Sequence, residues 1–552
     1  MRKKINTLLT FLILNIYNTS LPQVKPDFSN DEYFKLVVIF TNDIHGGIGK
    51  SKATFINPDF PPIIGGGEVA SRYIFKVREE ATRNGYGFLL LDAGDIYQGT
   101  PVGTLTKGKA VVEYMNYVKY DAVCVGNHDF DDGWENLKKL AEYAKFPFLG
   151  ANIYRKSTDK LAEFVKPYIM KEFDRIKIAI VSVTTSLIPE ISYPEHIKDL
   201  EFKNEVEVLR KLVPEVKKKG ADIVILSTHS YLPYNLEEAY KNMLKKIETG
   251  YDFTKHPVSA MEIAHAVPDI DIIFSGHVHK GFYEPWEDPD NHTLIFQNYA
   301  NGTNLGHVIF YIHKKTKTLA GYNFVDDRGA IFTLFEDEFY PDTILAKKLD
   351  SLIKVSERGL DEVIGIAIGN FTRSREGESS MGNLVVDAMR EAVRADVAFS
   401  NYGGIRADLQ SGPITPRDIF RVMPFENRIV VVNVTGNFIK ELIEDKVSGS
   451  GRGMLISGCR VVIDKTKPDR EKVVELKIGG QTFIPSKIYK LAVTDYLLEG
   501  NSGFVRLTTI PSSQINYTGI MVRQAIINYI SKHSPLKPTI DGRWKIVNHI
   551  KP

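Results

Sequence analysis

The chain has 552 residues, 43% hydrophobic and 25% charged, too many for one ordinary core, so two domains of a few hundred residues or fewer are expected. Its formal charge is +2, and Arg2, Lys3 and Lys4 carry more than that excess, leaving the remainder close to neutral. Near-neutrality excludes a general electrostatic grip on a nucleic acid polymer, so any phosphate recognition must be local.

At the N-terminus, "MRKKINTLLTFLILNIYNTS" places a cationic cluster before an apolar run and small polar residues after it, the pattern of a signal peptide over residues 1–20. That run is too short to span a bilayer, and no later stretch offers about 20 uninterrupted apolar residues. The polar, basic C-terminal segment lacks the hydrophobic tail of a lipid-anchor signal, so a secreted chain without a membrane anchor is expected. Asn-x-Ser/Thr sequons at Asn291, Asn301, Asn370, Asn433 and Asn516 fit a secreted glycoprotein. Cys124 and Cys459 are the only cysteines, so no disulfide network is possible, and Cys124 in "AVCV" reads as a buried small hydrophobe.

Between Leu36 and Phe324, six short apolar runs alternate with charged helical stretches: "KLVVIF", "GFLLLD", "DAVCVG", "KIAIVSV", "DIVILS" and "DIIFSG". Runs this short and apolar predict strands buried on both faces, hence a helix-flanked α/β sandwich. The first domain is placed at residues 34–335. Apolar residues at Ile344, Leu345, Leu349, Leu352 and Ile353 then follow a helical period, and a linker helix is predicted over 336–362. Mixed strand and helix signals over 363–550 predict a second, smaller α/β domain. Gly65 to Gly67 ahead of Glu68 match neither a Walker loop nor a dinucleotide fingerprint and read as a turn into a helix.

Strand ends carry the chemistry. The first ends in Asp43 and His45, the second in Asp95, the third in Asn127, His128 and Asp131, a later one in His229, and another in His277 and His279. Any one of these is an ordinary structural residue. Asp-x-His, Gly-Asp, Gly-Asn-His, a strand-end His and Gly-His-x-His in one order need a common explanation, and converging metal ligands supply it.

This order of motifs resembles the calcineurin-like metallophosphoesterases, and the extension after Gly365 narrows the resemblance to the 5′-nucleotidase and apyrase family, over about Lys35 to Asn548. The resemblance implies a four-layer αββα sandwich with a smaller α/β substrate-binding domain joined by the linker helix. It also implies that Asp43, His45, Asp95 and His279 hold one divalent cation and Asp95, Asn127, His229 and His277 a second, with Asp95 shared. Mixed nitrogen and oxygen donors without thiolate suit zinc or manganese; secreted arthropod salivary apyrases, to which the chain is similar, point instead to calcium or magnesium.

Two cations held there would supply a metal-bound hydroxide for in-line attack on a terminal phosphoryl group. His128, with Asp131 to orient it, would protonate the leaving group or stabilise transition-state oxygens. The family usually has "GNHEFD" where this chain reads "GNHDFD", and the change at Asp129 lies outside the residues assigned to chemistry.

In the second domain, Arg373 and Arg375 precede a helix beginning near Ser380, and Asn401 and Arg406 flank two glycines, an arrangement suited to an anionic ligand. By the resemblance, Arg375, Asn401, Gly404 and Arg406 bind phosphate or nucleotide, and Phe425 and Tyr496 sandwich the base. Where the family reads Gly-Gly-Asp-Gly-Phe, this chain has Asn501, Ser502, Gly503 and Phe504. Ser502 supplies no carboxylate for the ribose hydroxyls, so weaker ribose recognition is expected unless Asn501 substitutes.

The expected function is an apyrase removing terminal phosphate from extracellular ATP and ADP, anti-haemostatic through loss of the ADP that recruits platelets. AMP hydrolysis, action on nucleotide sugars or cyclic nucleotides, and a binder without turnover that sequesters nucleotides or engages a receptor are the alternatives.

Overall fold

The computed structural model describes residue 28 and residues 31–53, 56–57, 60–192, 194–325, 327–425, 427–448 and 453–547. The signal segment expected over residues 1–20 lies outside the described residues. Among those residues no helix is long and apolar enough to cross a membrane.

All six apolar runs form strands: Tyr33–Thr41, Gly87–Asp92, Ala122–Cys124, Ile176–Val183, Ile223–Thr228 and Ile272–Ser275. The first three pair in parallel within a seven-stranded sheet, and the last three in parallel within a six-stranded sheet. Alternation along each strand assigns its two faces to two different cores. Leu36, Val38, Phe40, Leu89 and Leu91 meet Ile178, Ile180, Ile223, Ile225, Ile272 and Phe274 between the sheets. The intervening Val37, Ile39 and Leu90 pack with Val69, Ile74 and Val77 of helix Gly66–Arg83. On the other sheet, Val181, Val224 and Leu226 pack with Val206, Leu209 and Val213 of helix Glu205–Lys218. The result is the expected four-layer αββα sandwich, and double-sided burial explains why these runs lack polar alternation.

The Gly65 to Gly67 segment is a turn into a helix: Gly66 has φ +52°, and a Cβ there would lie 2.3 Å from the Gly49 carbonyl oxygen. Cys124 and Cys459 are both buried free thiols.

The linker is shorter than predicted. Its helix runs Thr343–Ser356, started by Asp342, whose carboxylate accepts from the Ile344 and Leu345 amides. Leu345 and Leu349 are buried in the helix-side core of the first domain, so the linker is docked on that domain. Ile344, expected on the apolar stripe, is 73% exposed at the first turn. The second domain contains a five-stranded and a four-stranded sheet, with helices Ser380–Ala392 and Val522–His533 packed in its core.

Candidate metal centre and substrate face

The parallel strands deliver their C-terminal loops to one edge of the sandwich, where the predicted ligands converge. Asp43, His45 and His279 form one cluster and Asp95, His229 and His277 a second, each with ligand atoms within 4.8 Å of one another. His229 Nε2 lies 3.0 Å from Asp95 Oδ2 and 3.9 Å from Asp43 Oδ1, which joins the clusters. Asn127 Oδ1 approaches His277 Nδ1 at 2.9 Å, so all seven expected ligands share one site.

Local sequence explains how they are held. Asp43, His45, Asp95, His277 and His279 all have left-handed backbone, with φ between +49° and +81°. Such conformations cost of order 1–3 kcal/mol each for residues with a Cβ, and persist only where the surroundings over-determine them. Here the loops are tied together: the Asp43, His45 and Gly46 amides donate to the Gly94, Asp95 and Ile96 carbonyls at 2.8, 3.0 and 2.9 Å. Gly126 is required beside them, because a Cβ would fall 2.2 Å from Asp95 Oδ1.

The donor set fits divalent cations. His45 Nδ1 donates to the Gln98 carbonyl at 2.5 Å and His229 Nδ1 to the Ala93 carbonyl at 2.7 Å, which leaves each Nε2 lone pair facing the centre. His229 Nε2 is buried without a hydrogen-bond partner. His45 Nε2 and His279 Nε2 approach to 3.0 Å, with Asp43 Oδ1 at 3.8 and 3.5 Å. Electron-rich atoms converging this closely in a buried site require positive charge among them. Titration behaviour agrees. Burial lowers the pKa values of His45 and His279, and that of His277 to about 3, which keeps these rings neutral. For His229, burial opposes charge but the Asp95 carboxylate outweighs it and pushes the ring up to about 10, so this point draws positive charge, as a proton on Nε2 or as a cation in its place.

The dyad is formed as well. His128 Nδ1 lies 2.9 Å from Asp131 Oδ2, and the His128 amide donates to Asp95 Oδ1 at 2.7 Å. Burial disfavours charge on His128, yet Asp131 and Asp95 together raise its pKa to about 9.

Three positioning residues were missed in the sequence. Asp129 accepts the amides of Asp95, Ile96 and Gly126 at 3.1, 2.9 and 2.8 Å, and so clamps the two loops that carry Asp95 and Asn127. It touches no expected ligand side chain; it fixes the backbone of Asp95 and of Gly126, the residue before Asn127. Asn42 donates to Asp43 Oδ2 at 2.7 Å, and its Oδ1 accepts the Asn298 amide. Gln98 holds His45 through its carbonyl and donates from Nε2 to the Pro424 carbonyl at 2.9 Å, spanning the two domains. Asp129 was visible as a departure within a motif; Asn42 and Gln98 carried no signal.

The second domain covers this edge. Phe425 stacks on His128 with ring centroids 5.6 Å apart, and Arg406 lies 5.7 Å from the Phe425 centroid. Desolvation, then the nearby Arg373 and Arg375, lower the pKa of Arg406, so three guanidiniums crowd one region. Arg373 is committed to structure, pairing with Asp408 and donating to the Arg406 carbonyl. Arg375 is exposed. Gly404 is tightly placed, since a Cβ would lie 3.3 Å from Asn401 Oδ1. Asn401 Nδ2 donates to Ser502 Oγ at 3.2 Å, and Tyr496 is half-buried near the same serine. Asn501 is buried and donates to the Tyr496 carbonyl at 3.0 Å, so it is not free to replace the missing carboxylate.

Comparison with known proteins follows the same division. Residues 36–281 match the calcineurin-like phosphoesterase model and residues 362–509 the 5′-nucleotidase C-terminal domain model. The chain is 27% identical to Protein UshA of Yersinia enterocolitica, over 92% of this chain and 93% of that protein. It is 28% identical to a 5′-nucleotidase of Vibrio cholerae over 92% of each. Among solved structures, the 5′-nucleotidase precursor of Thermus thermophilus superimposes with a TM-score of 0.76 at 23% identity, covering 94% of this chain and 100% of that one, a likeness of fold. The chain belongs to the metal-dependent phosphohydrolases that join a calcineurin-like phosphoesterase domain to a 5′-nucleotidase C-terminal domain.

Proposed function

We propose that this chain is an exported phosphohydrolase that removes phosphate from 5′-nucleotides, with Asp43, His45, Asp95, Asn127, His229, His277 and His279 as ligands of two divalent cations. The observation that carries the reading is the convergence of those seven side chains beneath His128, Phe425 and Arg406. When bound, the cations supply Lewis acidity and lower the pKa of water. His128, kept protonated by Asp131 and Asp95, donates to the phosphoryl or leaving oxygen. Arg375 and Arg406 pair with phosphate oxygens, and Phe425 and Tyr496 offer faces to the base. Export rests on the cationic and apolar start of the chain.

Similarity to relatives named 5′-nucleotidases supports a nucleoside 5′-monophosphate such as AMP as the substrate of this chain. A second reading, apyrase action on ATP and ADP, rests on the resemblance to secreted apyrases; Arg375 and Arg406 would pair with phosphate oxygens under either reading. An anti-haemostatic role belongs to that second reading alone. Glycosylation, if it occurs, involves sequons other than Asn291, whose amide is committed to the Ala264 and His265 carbonyls.

Phosphate release from AMP, ADP and ATP, with zinc, manganese, calcium or magnesium and after chelation, tests both readings. Release from AMP, lost on chelation and restored by a cation, is the expected result. Release from ADP and ATP but none from AMP would transfer support to the second reading, and no release from any nucleotide would reject both.

A further inference from the structure

Outside the centre, His265, Asp288 and Asp290 bring ligand atoms within 4.8 Å of one another. His265 ends the helix Ala260–Ala266, and the two aspartates lie in the turn between strands Trp286–Glu287 and Leu294–Gln297. Asp288 is fully buried, a costly position for a carboxylate without a partner for each oxygen. Its Oδ1 accepts the Asp290 and Asn291 amides at 3.1 and 2.8 Å, but its Oδ2 has no hydrogen-bond partner. His265 Nδ1, facing it, is likewise buried and unpartnered.

Distances explain why these atoms do not simply bond to each other. His265 Nδ1 lies 3.5 Å from Asp288 Oδ2 and 3.4 Å from Asp290 Oδ2, beyond good hydrogen-bond length. Two donors each about 2.0–2.1 Å from one tetrahedral ion are separated by roughly 3.3 Å. Unpartnered His229 Nε2 beside Asp95 repeats the same signature at the main centre. The turn is also built to hold its shape. Asn291 Nδ2 donates to the Ala264 and His265 carbonyls at 2.8 and 2.9 Å, fastening the turn to the end of the helix that carries His265.

We propose that His265, Asp288 and Asp290 form a third divalent-cation site, selective for zinc-class ions because one of its three donors is an imidazole nitrogen. It is separate from the main centre. Strand Leu294–Gln297 pairs in parallel with Ile272–Ser275, with Leu294 level with Ile272, so the turn sits at the end of the strands opposite His277, on the order of 15 Å away. Its role is structural: it pins the turn and helix together at the sheet edge and takes no part in turnover. Asp290 is 66% exposed at its side chain, so the ion is exchangeable.

The test uses the full chain as wild type, His265→Gln and Asp290→Asn, titrated with zinc. Bound zinc per chain by mass spectrometry, zinc-dependent melting and phosphate release are measured together. At saturation the wild type should hold one equivalent more than either variant, with phosphate release unchanged. The zinc concentration giving half of the melting shift should rise at least about tenfold in the variants, the scale of losing a ligand-shell contact. Asp290 is exposed, so Asp290→Asn keeps the test decisive if His265→Gln fails to fold. Equal zinc content and equal zinc-dependent melting in all three proteins would overturn the site. Displacement of the extra equivalent by calcium at equal concentration would overturn its selectivity.

Discussion

At the scale of single residues, the groups proposed to act on substrate are distinct from those that hold the loops. His128→Ala should retain the bound cations and lose about 10²- to 10⁴-fold in turnover, measured by phosphate release alongside metal content. Asp131 and Asp95 outweigh burial in raising the His128 pKa to about 9, and the acid role proposed for His128 needs that proton. Asp131→Asn removes part of that upward push, so the alkaline limb of the pH–rate profile should move to lower pH; an unmoved limb would assign it to another group. Asp129 acts only through backbone amides. An Asp129→Asn side chain must turn its amide donor toward one of those N–H groups, leaving a buried clash of about 1–3 kcal/mol, read by chemical denaturation together with weakened metal retention. The ribose end makes a different claim. With Ser502 tied to Asn401 and Asn501 turned inward, AMP and dAMP should be hydrolysed at similar rates, and a strong preference for the ribose form would contradict it.

At the scale of elements, burial decided what could be read from the sequence. The six central runs were legible because both faces of each strand are apolar. Their ligand-bearing ends were legible because Asp, His and Asn follow such runs without any packing reason to be there. Strand Asn304–His313 was not singled out, although it pairs antiparallel with Tyr33–Thr41 across the middle of the first sheet. That partnership joins residues far apart in the chain, and no local pattern encodes it. The linker helix was overextended because periodicity does not mark the Asp342 cap or the turn after Ser356. The same long strand carries His307, buried, with Nδ1 2.8 Å from the Tyr73 hydroxyl. Burial lowers its pKa to about 4 from 6.5. Between those values the unfolded chain takes up a proton that the folded chain refuses, so the stability present above pH 6.5 is lost as pH falls toward 4. The slope is about 1.4 kcal/mol per pH unit where one full proton separates the states. His307→Gln should flatten that decline, measured by denaturant unfolding at several pH values in this window.

At the scale of the whole molecule, the second domain does more than follow the first along the chain. Gln98 bonds Pro424 while its carbonyl holds His45, and Phe425 lies on the ring of His128. The face proposed to recognise substrate is thus in direct contact with the residues proposed to hold the cations. None of these junction contacts could be foreseen, since each joins ordinary residues hundreds of positions apart. The resemblance implies that Asp95 is shared between two cations, and the proposed centre depends on it. Anomalous diffraction from crystals grown with manganese tests it most directly. Two peaks about 3.5–4 Å apart, bridged by the Asp95 carboxylate and bounded by Asp43, His45, Asn127, His229, His277 and His279, are predicted. A single peak, or peaks that Asp95 does not touch, would contradict the two-cation centre.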